Sequence, residues 1–457
     1  MTNTSSFLGS EPIHKLMVKL SAPAVTAMIA TGLYTALSTI IIARGIDMDA
    51  VGAAGLVFTI QALYQGLAQM VSIGAASAIS RSLGKDDSEY ANLVVGNSLS
   101  LTLAISILLM LLTFFFAKPM LNFFGSTEEL MEPANEFLSI LTWSIPFNAF
   151  FLNFVAFFRA EGNLKRSMMI IILDCGVNLL LDYLFIVQFG WGFSGAGWAM
   201  FGAHLLSSLF GFSFFFRKKT LLELHAKNFL PRLKPLVAII SVGFSAFARN
   251  GAVTVFSLIM NNRLRAMDGT DALVAFGAAN RIVQFFFLPI MGFNQGFQPI
   301  ASYNYGAGKQ ERVREGLKYV LIYTTLIGVI ASLTGILIPK PILGLFTDDQ
   351  VAISEGATVL RLQLLFFWTM GFQTVASNFY QALGRPLQAL LLSIFKHLAL
   401  LSPLVYLLTL FDNLPKIGIW FAFPIAEGIA FIIVLIVLRR QYKILKEDEK
   451  PSQKRYN

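Results

Sequence analysis

Stretches of about twenty or more largely apolar residues recur twelve times along this chain, near 16–43, 51–80, 91–117, 134–158, 167–187, 194–216, 236–261, 272–300, 317–338, 357–380, 388–410 and 417–438. Wound as an α-helix, a run of that length matches the hydrocarbon thickness of a bilayer. Only 13% of the 457 residues are charged and 56% are hydrophobic. A soluble domain carries about 25% charge, so lipid rather than water must be the solvent. Pro23, Pro146, Pro289 and Pro403 fall inside these runs. They are tolerable there because neighbouring helices in a membrane bundle satisfy the freed backbone groups.

The placement of charge gives an orientation. With the N-terminus in the cytoplasm, the inner segments hold most of the 35 Lys and Arg, from Lys15 and Lys19 to a basic tail running from Arg439 to Arg455. The outer loops hold Arg44, Lys118, Arg263, Arg265, Lys340 and Lys416. That bias predicts both termini inside. It accounts for the net charge of +9 as an inner-surface signal near membrane lipid, with no nucleic-acid partner. The polar N-terminal residues lack the pattern of a cleavable leader, and the single cysteine, Cys175, excludes an internal disulfide.

The chain also matches itself when displaced by 222 positions. Asp49-Ala50 meets Asp271-Ala272, Gly74 meets Gly296, and Ser80 and Gly84 meet Ser302 and Gly306. Lys118-Pro119-x-Leu121-x-x-Phe124 meets Lys340-Pro341-x-Leu343-x-x-Phe346, and Ala160-x-Gly162 meets Ala382-x-Gly384. The first six spans therefore repeat as the last six. Six is even, so both halves share one orientation, the parallel-repeat arrangement of alternating-access transporters. The predicted architecture is an all-α integral membrane protein of two six-helix bundles around a central cleft. The bundles cover 1–216 and 236–438, with a cytoplasmic hinge at 217–235 and the tail at 439–457.

Ionisable groups inside the spans are functional candidates because burying them is costly. Asp174, Asn178 and Asp182 of the fifth span stand at i, i+4 and i+8, on one helix face. Such carboxyls can take up and release a proton, or hold Na⁺ together with the Asn carbonyl and backbone oxygens. The blander alternative is that Asp182 merely hydrates an outer helix end. In the second half Arg249, Asn250, Arg281, Gln284, Lys396, His397 and Glu427 are candidates to line the cleft, as is Tyr34 in the first. Glu427 can instead pair with Lys396 or His397, and Arg249 and Arg281 can serve structural roles. His204 reads as a packing residue and Arg361 as a snorkelling one.

Aromatic clusters at Phe147, Phe150 and Phe151, at 285–287 and at 366–368 suit either a bulky ligand or ordinary packing. No phosphate-binding loop of the Walker type and no His-Glu-x-x-His pattern occurs, which argues against an ATP-driven pump or a metal enzyme. Gly190-Trp-Gly-Phe-Ser-Gly-Ala-Gly197 reads as a tight turn opening a span.

Several segments resemble the MATE (multidrug and toxic compound extrusion) family, within it the bacterial MepA-like branch. They are Gly296-Phe297-Gln298-Pro299-Ile300 with Tyr303-Asn304-Tyr305-Gly306-Ala307 and Arg312-Val313-Arg314, then Gln381-Ala382-Leu383-Gly384-Arg385, Asn178-x-x-x-Asp182 and Leu33-Tyr34-x-x-Leu37. The resemblance implies a monomeric, multi-pass antiporter of the bacterial plasma membrane. It would export cationic or amphipathic compounds in exchange for H⁺ or Na⁺, without a cofactor. It implies cation coupling at the Asn178–Asp182 pair. The sequence departs from the family at Leu33-Tyr34-Thr35-Ala36-Leu37-Ser38-Thr39, where many relatives carry an aspartate and this chain has Ser38. Serine can offer one ligand oxygen but cannot titrate in its place. With Ser38 in the first span, Asp182 and Asp174 must carry the coupling in the first half, or Glu427 carries it in the second. Two alternatives stand beside this reading: a flippase for a lipid-linked saccharide, which Arg249, Arg281 and Lys396 keep open, and a non-transporting receptor, against which the repeat and the buried acids count.

Overall fold

The computed structural model describes residues 6–45, 48–217, 219–268, 270–345, 349–409 and 416–447, all helix and connecting turns. The first half comprises α1 (Ile13–Gly45), α2 (Met48–Gly84), α3 (Ser88–Phe123), α4 (Glu128–Ala160), α5 (Leu164–Asp182) and α6 (Gly192–Phe216). The second comprises α7 (Leu233–Asp268), α8 (Thr270–Gly306), α9 (Gln310–Leu337), α10 (Pro339–Leu343), α11 (Gln350–Leu364), α12 (Met370–Ala382), α13 (Pro386–Ile394), α14 (Ser402–Leu408) and α15 (Ala422–Glu447). Phe114 is 78% and Phe123 84% exposed, as a surface solvated by lipid requires.

The repeat governs where helices begin and end. Displaced by 222, the bounds of α2 become those of α8, and the starts of α3, α4 and α5 become those of α9, α11 and α13. Backbone conformation repeats too. Gly162 and Gly384 both take the left-handed region, φ 85° and 71°. Asp86, left-handed at φ 59°, stands where the second half has Gly308 at φ 71°. Local chemistry starts the helices: Asp87 Oδ1 accepts from Tyr90 N at 2.9 Å before α3, and the Asn163 side chain accepts from Arg166 N at 3.3 Å before α5.

Among the described residues, eleven helices are long and apolar enough to cross a membrane. The apolar run expected over 357–380 is not a single helix. This run is broken between α11 and α12 by a tight turn at Phe367–Thr369. Gly328 of α9 packs so close to the break that a Cβ there would lie 2.5 Å from Trp368 Cα, and Thr369 Oγ1 donates to Phe366 O at 2.8 Å. In the first half α4 passes through Pro146, the equivalent position, unbroken.

The chain divides into two compact units, one of Met1–Ser10 and Thr26–Phe247, the other of Glu11–Val25 and Ala248–Asn457. Val25 and Phe247 are repeat equivalents, so α1 and α7 each change unit at the same point. In the first unit α7 meets α2 backbone to backbone. A Cβ on Gly74 would stand 2.0 Å from Ile239 O, and one on Gly243 1.8 Å from Met70 O. In the second unit α1 meets α8 in the same way: a Cβ on Gly296 would stand 2.4 Å from Ser21 Oγ, and one on Gly292 2.6 Å from Val25 Cα. Such small-residue contacts are how membrane helices approach closely.

Segment 217–235, expected as a hinge between halves, is sewn to the first unit. Asn97 Nδ2 donates to Asn228 O at 2.9 Å and Asn97 Oδ1 accepts from Arg232 N at 2.7 Å. Ser100 Oγ donates to Phe229 O at 2.7 Å, and the Glu161 carboxylate accepts from Thr220 Oγ1 at 2.7 Å and Leu221 N at 3.0 Å. These bonds fix the segment's backbone, and the division falls inside α7 instead.

Candidate functional site

In the first unit the three polar residues of α5 are buried: Asp174 is 7% exposed, Asn178 and Asp182 each 1%. Ser38 of α1 reaches across to them and its Oγ donates to Asp182 Oδ2 at 2.7 Å. The Tyr34 side chain, one turn earlier, lies beside Ser38 and within the field of Asp182 and Asp174. Asn178 Oδ1 is buried without a hydrogen-bond partner. It is a carbonyl dipole one helical turn from each carboxyl, with no donor of its own. Immediately after Asp182 the helix widens into a π-turn over Tyr183–Gln188. Irregular turns of this kind are common at functional positions.

Asp174 has a partner that sequence spacing does not show. Its Oδ1 stands 3.0 Å from His204 Nδ1 of α6, and His204 Nε2 stands 2.9 Å from Asn148 Nδ2 of α4. The amide nitrogen can only donate, so Nε2 accepts and the ring proton sits on Nδ1, facing the carboxylate. His204 also stacks on Phe151, centroids 5.8 Å apart. The packing role expected for His204 is therefore half of the picture: one face packs and both nitrogens bond. A crevice between α2, α3 and α4, walled in part by Gln61, Tyr64 and Gln65, reaches Asn148.

In the second unit Lys396 pairs with Glu427 Oε1. Glu427 Oε2 accepts from Gln373 Nε2 at 2.8 Å and Thr369 Oγ1 at 3.4 Å. Lys396 is 8% and Glu427 6% exposed. Lys396 sits in a π-turn, Phe395–Leu401, and Thr369 sits at the α11–α12 break, so one carboxylate ties two irregular helix segments together. His397 follows, its Nδ1 buried without a hydrogen-bond partner, and the charges of Lys396 and Arg249 both bear on it. Asn250 is half-buried on α7, where its carbonyl accepts from Thr254 Oγ1 at 3.0 Å. Arg281 and Gln284 of α8 are exposed and join neither cluster.

The two clusters correspond through the repeat. Lys396 occupies the position of Asp174, and Glu427 that of the residue after His204. Each has an ionisable side chain on the repeat's fifth helix, a side chain bonded to it on its sixth and an amide from its fourth, Asn148 or Gln373. The polarity is reversed: acid on the fifth helix in the first unit, base in the second. The sequence reading missed this inversion, although the 222-residue displacement applied to Asp174 lands on Lys396 and would have marked it. Of the aromatic clusters, Phe367 lies in the core of the second unit with Phe286 and Phe287 packed against it, whereas Phe285 is exposed.

The helical repeat with a buried ionisable cluster in each unit defines a class of membrane transport proteins, and similarity to known proteins narrows it. The MatE family model matches residues 23–184 and again 246–407, and the chain belongs to that family. It is 24% identical over 432 residues to the multidrug export protein MepA of Staphylococcus aureus (strain N315), covering 94% of this chain and 95% of that one. It is 25% identical over 426 residues to the MepA of Staphylococcus saprophyticus, covering 93% of each. A crystal structure of MATE in complex with MaL6 superposes with a TM-score of 0.93 at 24% identity, covering 98% of this chain and 100% of that one.

Proposed function

We propose that this protein is a secondary active exporter of cationic and amphipathic small molecules, driven by inward movement of H⁺ or Na⁺ through alternating access, with both termini cytoplasmic and the monomer as working unit. The observation that carries the proposal is Asp182, a carboxyl 1% exposed in an apolar helix, bonded by Ser38 and one turn from the unpaired Asn178 Oδ1. The similarity to proteins named multidrug export proteins supports the substrate class.

A proton arriving at Asp182 neutralises it, and the bond to Ser38 reverses, with the acid donating to the hydroxyl. A sodium ion would instead draw oxygen ligands from Asp182, Asn178 and Ser38. Ser38 thus retains a ligand oxygen where many family members carry an acid. The Asp174–His204–Asn148 chain adds a second buried carboxyl with a hydrogen-bonded histidine partner. Buried charge that appears and disappears with ion binding is a force able to bias two conformations.

The flippase reading draws on Arg249 and His397, since among the described residues no carboxylate pairs with Arg249. It is weaker because Glu427 already neutralises Lys396. Dye export in everted vesicles under an imposed pH or Na⁺ gradient separates the readings. Export that responds to one gradient supports the antiporter; export that responds to neither overturns it.

A further inference from the structure

At the cytoplasmic end of the first unit, by the orientation proposed above, the end of α2, the loop to α3 and the start of α7 border a half-open cavity of about 250 Å³ lined by Arg81, Lys85, Lys234, Tyr90, Ser82 and Asp87. One water needs roughly 10–15 Å³, so the space admits a group of several heavy atoms. Three cations face one carboxylate, and that carboxylate is engaged as the cap of α3, accepting from Tyr90 N at 2.9 Å. Lys234 Nζ stands 5.3 Å from the Tyr90 ring centroid. Arg81 is anchored by Ser77 Oγ, which aims the guanidinium. Among the described residues Lys85 makes no ion pair, and the nearby Glu89 is turned toward Lys227, 4.0 Å away.

The repeat shows that this cavity is not simply what the fold leaves behind. In the second unit the equivalent of Tyr90 is Arg312. Its Nε donates to Asn304 Oδ1 at 3.0 Å and its Nη2 donates to Glu11 O at 2.6 Å. The chain fills that corner with its own guanidinium. The corner of the first unit stays open and is ringed by cations.

We propose that this cavity binds a phosphate group, presented by the headgroup of an anionic phospholipid. The cations lie where three membrane-spanning helices end, at headgroup depth. Beside them Leu233 and Val237 of α7 are 79% and 54% exposed, an apolar path for the acyl chains. A bound headgroup would bridge the α2–α3 turn to the first part of α7, the segment held to α2 by the Gly74 and Gly243 contacts. This site stands apart from Asp182, so it holds whether or not the transport reading does.

The test is native mass spectrometry of the purified full chain from nanodiscs of phosphatidylcholine doped with phosphatidylglycerol, comparing wild type with Lys85→Gln/Lys234→Gln. Each lysine near an anionic surface is worth about a five-fold change in binding, so the double variant should retain phosphatidylglycerol about 25-fold more weakly. Lys85→Arg/Lys234→Arg keeps the charges and should retain it as wild type does, which guards against a folding defect. A parallel arm titrates inorganic phosphate against thermal stability in detergent. Charge-dependent retention of the lipid supports the headgroup as ligand. A shift with phosphate alone, lost in the glutamine variant, keeps the phosphate site and rejects the lipid source. Equal lipid retention and equal phosphate response in wild type and the glutamine variant overturn the proposal.

Discussion

Ser38 Oγ donates to Asp182 Oδ2 at 2.7 Å, joining α1 to α5 inside the first unit. Ser38, the residue at which the sequence departs from the pattern it resembles, is thus the donor to one of the two buried carboxyls of α5. Removing the hydroxyl leaves a buried carboxylate short of a bond, a cost of about 1–3 kcal/mol. Ser38→Ala is expected to lower gradient-driven export about ten-fold, and Ser38→Thr to stay near wild type. Transport assays on both variants at matched expression check this; equal activity of Ser38→Ala and wild type counts against the bond's importance.

The reversed pair of the second unit makes a different prediction. Breaking a buried ion pair strands one charge and costs about 3–5 kcal/mol, whereas removing both partners is often nearly neutral. Glu427→Gln is expected to lower the thermal midpoint markedly, and Lys396→Met/Glu427→Gln to recover most of the loss. A double-mutant cycle in detergent measures the coupling; additive losses contradict the pairing.

Two glycines of α7 should behave oppositely. A Cβ on Gly243 would meet Met70 O at 1.8 Å, while one on Gly251 has nothing within 4 Å. Gly243→Ala is expected to reduce folded yield severely. Gly251→Ala should be neutral or stabilising by about 0.5–1 kcal/mol, since alanine restricts the unfolded chain and favours helix. Fluorescence-detected size exclusion of the two variants distinguishes these outcomes, and similar profiles contradict the close packing of α2 on α7.

Glu161 lies just beyond α4, where burial raises its carboxyl above the ordinary value. The Thr220 hydroxyl, the Leu221 amide and Arg166 offset only part of this. A raised carboxyl contributes stability below its unfolded value, and that contribution is lost as pH rises through the folded one. Thermal midpoints of wild type are therefore expected to fall as pH rises out of the carboxylate range, and those of Glu161→Gln to fall less. Parallel pH profiles for the two proteins contradict this.

Much of the helical plan was readable in the sequence because apolar length and the 222-residue displacement both report on it. The bounds of α8 follow from those of α2, and Gly384 follows from Gly162. The break between α11 and α12 was not readable. Proline suggested a kink at Pro146, where α4 stays whole, and nothing in 357–380 marked the turn set by Gly328, Thr369 and Glu427. For the sites, helical spacing placed Asp174, Asn178 and Asp182 on one face. It could not show that His204, on another helix, bonds Asp174, and it left open whether Glu427 lines a cleft or closes on Lys396, as it does. Those facts depend on how helices pack, which periodicity along one helix does not encode.

The central claim is that Asp182 couples ion movement to export. Proteoliposomes holding wild type or Asp182→Asn test it by two readouts: export driven by an imposed ion gradient, and gradient-free exchange of labelled for unlabelled substrate. The account predicts that the variant loses gradient-driven export while retaining exchange. Gradient-driven export at the wild-type rate by Asp182→Asn would contradict it.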